Sequence, residues 1–234
     1  MRDRTIISAA ILALGIFLMG WMLKSGIDDF ANKDRKVTVK GLAEREVQAD
    51  KVTWPIATKA LGDDLPTLYD NIGATQRRIK NFLVKNGVKE SEIQLNAPTV
   101  VDLNAEQYME NRKPYRYNIT SIVTVTSKNV PLIRSIIARQ GELLKEGVAI
   151  VDAGYDNPVK YEYVSFKSMK PKMMQEAIEN AEKTARQFAE NSHSKLNKIV
   201  SADQGQFSII DRDSNTPYIK KVRVVTTITY SLKD

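Results

Sequence analysis

The chain contains no cysteine, and this absence excludes several classes of protein at once. Without thiols there is no disulfide framework, no thiolate zinc site, no cysteine nucleophile and no lipid-modified N-terminal cysteine. The compartment stays open, because proteins that work outside the cytoplasm also often lack cysteine. The 234 residues are 42% hydrophobic and 27% charged, so we expect a folded chain with a sizeable core, as one domain or two small ones.

Histidine is almost absent as well, since His193 is the only one. It lies in "ENSHSKL", just after a predicted helix, where a turn role is more common than a catalytic one. The sequence has no GxSxG, Walker or GxGxxG pattern, so the commoner nucleophile elbows and phosphate loops have no support. We therefore expect no catalytic residue, no metal ion and no cofactor. A hydrolase that uses only carboxylates stays open, because two acids distant in sequence can meet in space.

Neither positively nor negatively charged residues are in large excess. Lys and Arg number 35 against 28 Asp and Glu, and the basic residues are scattered along the chain. Proteins that bind single-stranded nucleic acid interleave basic residues with exposed aromatic side chains. Only "RKPYRY" at 112–117 fits this description, at the tip of a predicted hairpin loop. We expect no nucleic-acid partner.

One long apolar run is present, "IISAAILALGIFLMGWML" at residues 6–23. As a helix it would extend about 27 Å, close to the thickness of the hydrocarbon core of a bilayer. Arg2 and Arg4 precede it, so the positive-inside rule places the rest of the chain outside the cytoplasm. A cleaved signal peptide and a buried core helix are the alternatives. The predicted division of the chain has three parts: a membrane-spanning signal anchor (1–24), a polar linker (25–35) and a folded domain (36–234).

Hydrophobic periodicity divides the predicted domain into helices and strands. Three helices are expected: one from Leu65 until Gly87 ends it, one over "LIRSIIARQGELLKEG" that stops at Gly147, and one that Pro171 begins. About seven strands fill the rest, in the order ββαββαβαββ. This order predicts an α+β fold, a largely antiparallel sheet of about seven strands with three helices packed mainly on one face, after the N-terminal transmembrane helix.

The third predicted helix has alanine at every fourth position. The four residues are Ala177, Ala181, Ala185 and Ala189. Each step of four turns about 400° around a helix, so they form one slowly twisting stripe. Because alanine offers no donor to a metal or to a reaction, we expect a contact face that lies close on the sheet. We expect Met174, Ile178 and Phe188 to flank the stripe as larger core residues.

With this order of elements, residues 36–233 resemble the SIMPL-domain family of bacterial envelope proteins. The opening "VTVKG", which ends at Gly41, is similar to the family's first-strand V-x-V-x-G. Asp50 stands where the family has an aspartate after proline, although this chain has Ala49 in place of that proline. "YRYNITSIVTVT" is similar to the family's central strand.

The second half of the chain carries the rest of the resemblance. Gly147 with Val148 matches a glycine–valine pair of the family. The strongest match is the alanine stripe, followed by Leu196 and the strand "KIVSADQG". Asn197 stands where the family commonly has glycine, and asparagine can also adopt a left-handed turn conformation.

The resemblance implies structural roles for Gly41, Asp50, Gly147 and the four alanines, and it implies no catalytic residue, because the family has none established. It further implies an exported protein, which with the anchor means a single-pass inner-membrane protein whose domain lies in the periplasm. Some members self-assemble, and some are linked to tolerance of oxidative or envelope stress.

We therefore expect a non-catalytic protein that acts by self-assembly or binding, with further copies of itself as partner and a membrane contact through residues 6–23. The strands "YNITSIVTVT" and "VRVVTTITYS" are expected to form unpaired edges, because they are rich in β-branched residues and lack proline. Two alternatives are open. A ligand-binding module would need a roomy apolar pocket, and a carboxylate hydrolase would need a deep acidic cleft.

Overall fold

The computed structural model describes residues 2–32, 35–105, 114–152, 154 and 157–233, with side chains of the first helix described from 12 to 27. The predicted hairpin loop at 104–114 lies largely outside the described residues. The chain divides into two compact units. Unit 1 comprises Met1–Arg45, Ser168–Ser208 and Val222–Asp234, and unit 2 comprises Glu46–Lys167 and Ile209–Lys221.

Five α-helices and ten strands form within the described residues. The helices are α1 (Arg2–Asn32), α2 (Leu65–Lys85), α3 (Val130–Ala138), α4 (Gly141–Lys145) and α5 (Phe166–Asn191). The strands are β1 (Lys36–Gln48), β2 (Lys51–Gly62), β3 (Ile93–Leu95), β4 (Thr99–Asp102), β5 (Tyr117–Ser127), β6 (Ile150–Val151), β7 (Lys160–Glu162), β8 (Lys195–Gln204), β9 (Ser208–Asp211) and β10 (Ile219–Lys233).

The strands form two sheets. The first has the order β3-β5-β2-β6, with β4 also on β5 and β7 also on β2, and the second has the order β1-β10-β8, with β9 also on β10. The predicted mixture of helices with antiparallel sheets is confirmed. The single sheet of about seven strands and the count of three helices are wrong. Alternation along a strand reports which face is buried, but it does not report which strands are neighbours.

Unit 2 is built around the long antiparallel pair of β2 and β5, which runs from Val52 opposite Ser127 to Gly62 opposite Tyr117. One face of this pair is apolar and packs against α2 and α3. That core includes Trp54, Ile56, Val123, Ile79, Phe82, Leu83, Ile133 and Ile136. Asp64 caps α2, and its carboxylate accepts the Thr67 N–H at 3.0 Å.

Three predicted elements differ from the structure in detail. The predicted third strand is split into β3 and β4 around Pro98, because proline cannot donate to a ladder. The predicted second helix is split into α3 and α4 just before Gly141, which weakens a helix interior. α5 begins at Phe166, so Pro171 lies inside the helix instead of at its start.

In unit 1, α5 packs on β1 and β10 through a small apolar core. Val39 from β1 meets Ala181 and Ala185 from α5 and Ile228 and Tyr230 from β10. The buried side chains of β10 alternate with exposed or half-buried ones, so a single face of this strand is turned towards α5.

The N-terminal helix α1 is longer than the predicted anchor. It runs from Arg2 to Asn32, past Lys24 and through most of the residues assigned to the linker. In the part of the chain that the structure describes, no helix is both long and apolar enough to cross a bilayer. This finding contradicts the predicted single-pass anchor at 6–23 and the inner-membrane location derived from it. The prediction treated the apolar run as a separate segment, whereas the structure makes it part of a longer helix with charged residues.

Candidate functional site

The alanine stripe lies at the closest contact between α5 and the sheet of unit 1. All four alanines are at most 1% exposed. On the facing strand, a Cβ added to Gly41 would lie 1.8 Å from the carbonyl oxygen of Ala177 and 2.6 Å from the amide nitrogen of Ala181. Backbone therefore meets backbone here, and only residues with small side chains fit on either side.

The residues predicted to flank this stripe are not buried core residues. Ile178 is 39% exposed and Phe188 is 57% exposed, so neither is a core residue. Met173 is fully buried, whereas Met174 is half-buried. That prediction was wrong because a helix so close to a sheet buries only a narrow face, and Phe188, about 100° from Ala189 around the helix, points to the side.

Asp50 ties the end of the β7 region to the start of α5. Its carboxylate accepts the backbone N–H groups of Val164 at 2.7 Å and Ser165 at 2.8 Å, and its own N–H donates to Glu162. Burial raises the pKa of the Asp50 carboxyl, but hydrogen bonds from the Ser165 side chain and from these backbone groups outweigh it and hold the pKa below its usual value. These contacts hold the two residues that precede α5, which begins at Phe166.

Gly147 ends α4 in the left-handed conformation, with φ at +79°. The N–H of Gly147 bonds to the carbonyl of Leu144, and the N–H of Val148 bonds to that of Leu143. This is a Schellman motif, in which the following apolar residue packs back on the helix, and Val148 is buried accordingly. Gly87 and Val88 end α2 in the same way, so the glycine–valine pair is a helix stop.

His193 takes the equivalent position after α5. Its φ is +54°, its N–H bonds to Glu190, and the N–H of Ser194 bonds to Ala189 at 2.8 Å. The side chain is exposed. Most residues with a side chain adopt this backbone region only at a cost, so His193 occupies a position that favours glycine.

We expect His193→Gly to raise the free energy of unfolding by about 0.5 to 1 kcal/mol, because glycine relieves the left-handed strain. His193→Ala should change it by no more than about 0.5 kcal/mol, since it removes only an exposed ring. Chemical denaturation measures both, with Ser192→Gly as a control that should not stabilise. If both substitutions at 193 destabilise strongly, the imidazole ring has a role beyond the turn.

Each unit contains a cavity. One of about 350 Å³ in unit 1 is lined by balanced charges, including Glu182, Arg186 and Lys195, and Glu182 pairs with Arg186 at 2.6 Å. One of about 340 Å³ in unit 2 has a mixed lining, in which Trp54 and Leu144 stand beside polar side chains. Among the described residues, no group of three or more histidine or acidic side chains could hold a metal ion.

The two outer strands of the unit 1 sheet differ in how their free edges are protected. On β1, the carbonyl of Leu42 accepts the amide of Asn180 at 2.8 Å, and Arg45 pairs with Glu176 at 2.8 Å, both partners coming from α5. Side chains of α5 therefore occupy the surroundings of β1 and satisfy part of its backbone. Natural proteins protect edge strands in such ways, so that they do not pair with strands of other chains.

Among the described residues, no side chain of α5 bonds in this way to β8. Nine of its ten residues are exposed, all except Leu196, and Ile199 and Val200 are 56% and 50% exposed. Within the described residues, β8 pairs with β10 on one side and has no strand on the other. An exposed edge with apolar β-branched residues and no proline is a template for another strand.

The hydrogen-bond pattern shows which residues of β8 face this free edge. The Gly205 N–H bonds to the Val225 carbonyl, and the register continues regularly through Gln204 opposite Thr226 to Ser201 opposite Thr229. Since such pairs alternate, the backbone of Ser201 and Asp203 points to β10, and that of Ala202 and Gln204 points outward. Ala202 therefore offers an unpaired N–H and C=O at the surface.

The edges predicted from sequence were the wrong strands. "YNITSIVTVT" is most of β5, which lies between β2 and the strands β3 and β4, and "VRVVTTITYS" is most of β10, which lies between β1 and β8. Both are rich in β-branched residues because both are interior strands. A better signal was the loss of alternation in "KIVSADQG", where two apolar residues are followed by small and polar ones.

The family model of SIMPL, described as a protein of unknown function (DUF541), matches residues 37–229. The matched range covers residues of both units and every residue given a structural role above, from Gly41 to Ala189. No curated protein matches the chain significantly.

Proposed function

The chain belongs to the SIMPL family (DUF541), and we propose that it acts without catalysis, by assembling with further copies of itself through the free edge of β8. The observation that carries this proposal is the exposure of β8, a ten-residue strand with apolar side chains at its centre and no strand on one side in the described structure. Each backbone group left unpaired at such an edge can bond to a neighbouring chain.

The contrast with β1 supports the choice of β8. Both strands are outer strands of one sheet, but α5 supplies Asn180 and Glu176 to the surroundings of β1 and leaves β8 uncovered. The family resemblance supports assembly in general, since some relatives self-assemble. The role in stress tolerance that the resemblance implies stays a prediction.

We expect light scattering of the full chain over a range of concentrations to show a mass above that of the monomer, and Ala202→Pro to abolish this increase. Proline removes the outward N–H of Ala202 and places its ring at the edge, while the ladder to β10 does not use that N–H. Ala202→Val, which keeps the N–H, is the matched control and should assemble like the unmodified chain.

Comparison of the variants is needed because α1 also exposes apolar side chains, such as Phe17 and Trp21. An increase in mass that Ala202→Pro leaves unchanged would assign assembly to another surface and refute the role of β8. A monomer at every concentration would refute self-assembly altogether.

If light scattering shows a monomer at every concentration, a second candidate function is favoured, the binding of a small apolar ligand in the unit 2 cavity. Its volume of about 340 Å³ is at the lower end of the range for ligand pockets, and its lining combines apolar side chains with the polar groups of Gln140 and Asp152. Trp54 contributes to this lining, so a change in its fluorescence on addition of ligand would report binding.

A further inference from the structure

We infer that the partner of β8 is the β8 strand of a second copy, paired antiparallel about a twofold axis so that Lys198 of each copy lies opposite Asp203 of the other. This inference rests on the proposed self-assembly and adds the register. Between residues 198 and 203 of each copy, residue numbers opposite each other sum to 401. Ile199 then lies opposite Ala202, and Val200 lies opposite Ser201.

The backbone N–H and C=O groups of β8 point in the directions that this register requires. Ala202 points to the free edge, as derived above. Lys198 faces β10, because its N–H and its carbonyl both bond to the hydroxyl of Ser231, so its neighbour Ile199 faces outward. Ile199 and Ala202 of two copies can therefore exchange backbone hydrogen bonds, and the axis relates two such pairs.

The side chains also lie on matching faces. Cross-strand partners share a face, so Asp203 projects with its partner Thr227, away from α5. Ile199 projects with its partner Tyr230, which is buried towards α5, so the adjacent Lys198 projects away from α5. Lys198 and Asp203 thus project from the same face of the sheet, although five residues separate them.

An irregularity in β8 produces this match. Thr229 is opposite Ser201 and Tyr230 is opposite Ile199, so Val200 is an extra residue in the strand. A second irregularity follows between Ile199 and Leu196, where Asn197 and Lys198 stand against Ser231 alone. Without this bulge, residues 198 and 203 would project from opposite faces. A bulge is a local distortion that often hinders an edge strand from pairing with another chain. In the proposed dimer the bulge lies at the twofold axis, so the bulges of the two copies are opposite each other.

The chemistry of the paired side chains is complementary. Lys198 and Asp203 are exposed, and neither forms an ion pair with another described residue. The register gives each an opposite charge at the closest type of cross-strand position, where side chains interact most. It also places the large Ile199 beside the small Ala202. Two other registers are less favourable. A twofold axis at Asp203 would place the carboxylates of two copies opposite each other, and an axis at Ala202 would leave Lys198 with no acidic side chain opposite it.

Charge reversal in the full chain tests the register. Lys198→Glu and Asp203→Lys should each raise the dissociation constant of the assembly about tenfold at low salt, because each creates two like-charge pairs. The double variant should restore it. Lys195→Glu is the matched control, since residue 195 lies outside the paired segment 198–203, and it should change the constant much less.

A cysteine pair tests the same contact independently of charge. The chain has no cysteine, so Lys198→Cys with Asp203→Cys should yield a covalent dimer under mild oxidation, whereas either single variant should not. Within one strand the two positions are about 16 Å apart and cannot bridge. Assembly without this crosslink, or without rescue by the double charge reversal, would overturn the register and leave self-assembly standing. Absence of assembly would overturn both.

Discussion

Gly41→Ala is expected to lower the free energy of unfolding by about 3 kcal/mol or more, the largest effect of any single methyl group discussed here. The added Cβ would lie 1.8 Å from the Ala177 carbonyl oxygen and 2.8 Å from the Ala181 Cβ. The nearest atoms belong to the backbone of α5, which cannot move aside as a flexible side chain could. Either α5 is displaced from β1 or the contact is lost.

Chemical denaturation followed by circular dichroism measures this loss. Gly141→Ala is the matched control, because it adds the same methyl group where nothing lies within 4 Å, at the first residue of α4. That variant should be stabilised by about 0.4 to 1 kcal/mol, since alanine is the better helix residue. Equal stability of the two variants would show that β1 and α5 are not in backbone contact.

Ala185→Leu is expected to have the second largest effect, a loss of about 1 to 3 kcal/mol. Ala185 is fully buried and shares its cluster with Val39, Ile228 and Tyr230. Three further carbons must push α5 away from the sheet or force neighbouring side chains from their preferred rotamers. Ala185→Ser should cost less, since it adds a single atom whose hydroxyl can bond to the carbonyl four residues earlier.

Thermal and chemical unfolding of the two variants decide this prediction. Gln187→Leu supplies the control, because it places leucine on the exposed side of the same helix and should change stability by no more than about 0.5 kcal/mol. A melting temperature that Ala185→Leu preserves or raises would mean that the stripe faces a loosely packed region.

Several elements followed directly from local patterns in the chain. The alternating run "KVTVKGLAEREVQ" predicts a strand and coincides with β1, and α2 begins after the Asp64 cap and ends before the predicted stop at Gly87. The alanine spacing indicated a face of α5 that the structure shows to be buried. These features depend on residues within a few turns or a few strand positions, so periodicity and capping are enough to predict them.

Such local patterns did not predict the order of the strands in the sheets. β5 and β10 looked like edges because of their β-branched residues, yet such residues suit interior strands at least as well. Position in a sheet depends on which distant segments pair, as when β10 lies between β1 and β8. A burial pattern within one strand carries no information about that choice.

The sequence by itself determined the helix stops, the stripe, and the lack of cysteine and of all but one histidine. Only the tertiary structure decided what Asp50 holds, since its partners Val164 and Ser165 lie 114 and 115 residues away. It also decided that β8 has a strand on one side only among the described residues and that Val200 is an extra residue in it. Local periods arise from the geometry of one helix or strand, whereas edges, bulges and distant hydrogen bonds arise from the packing of segments that the chain brings together only on folding.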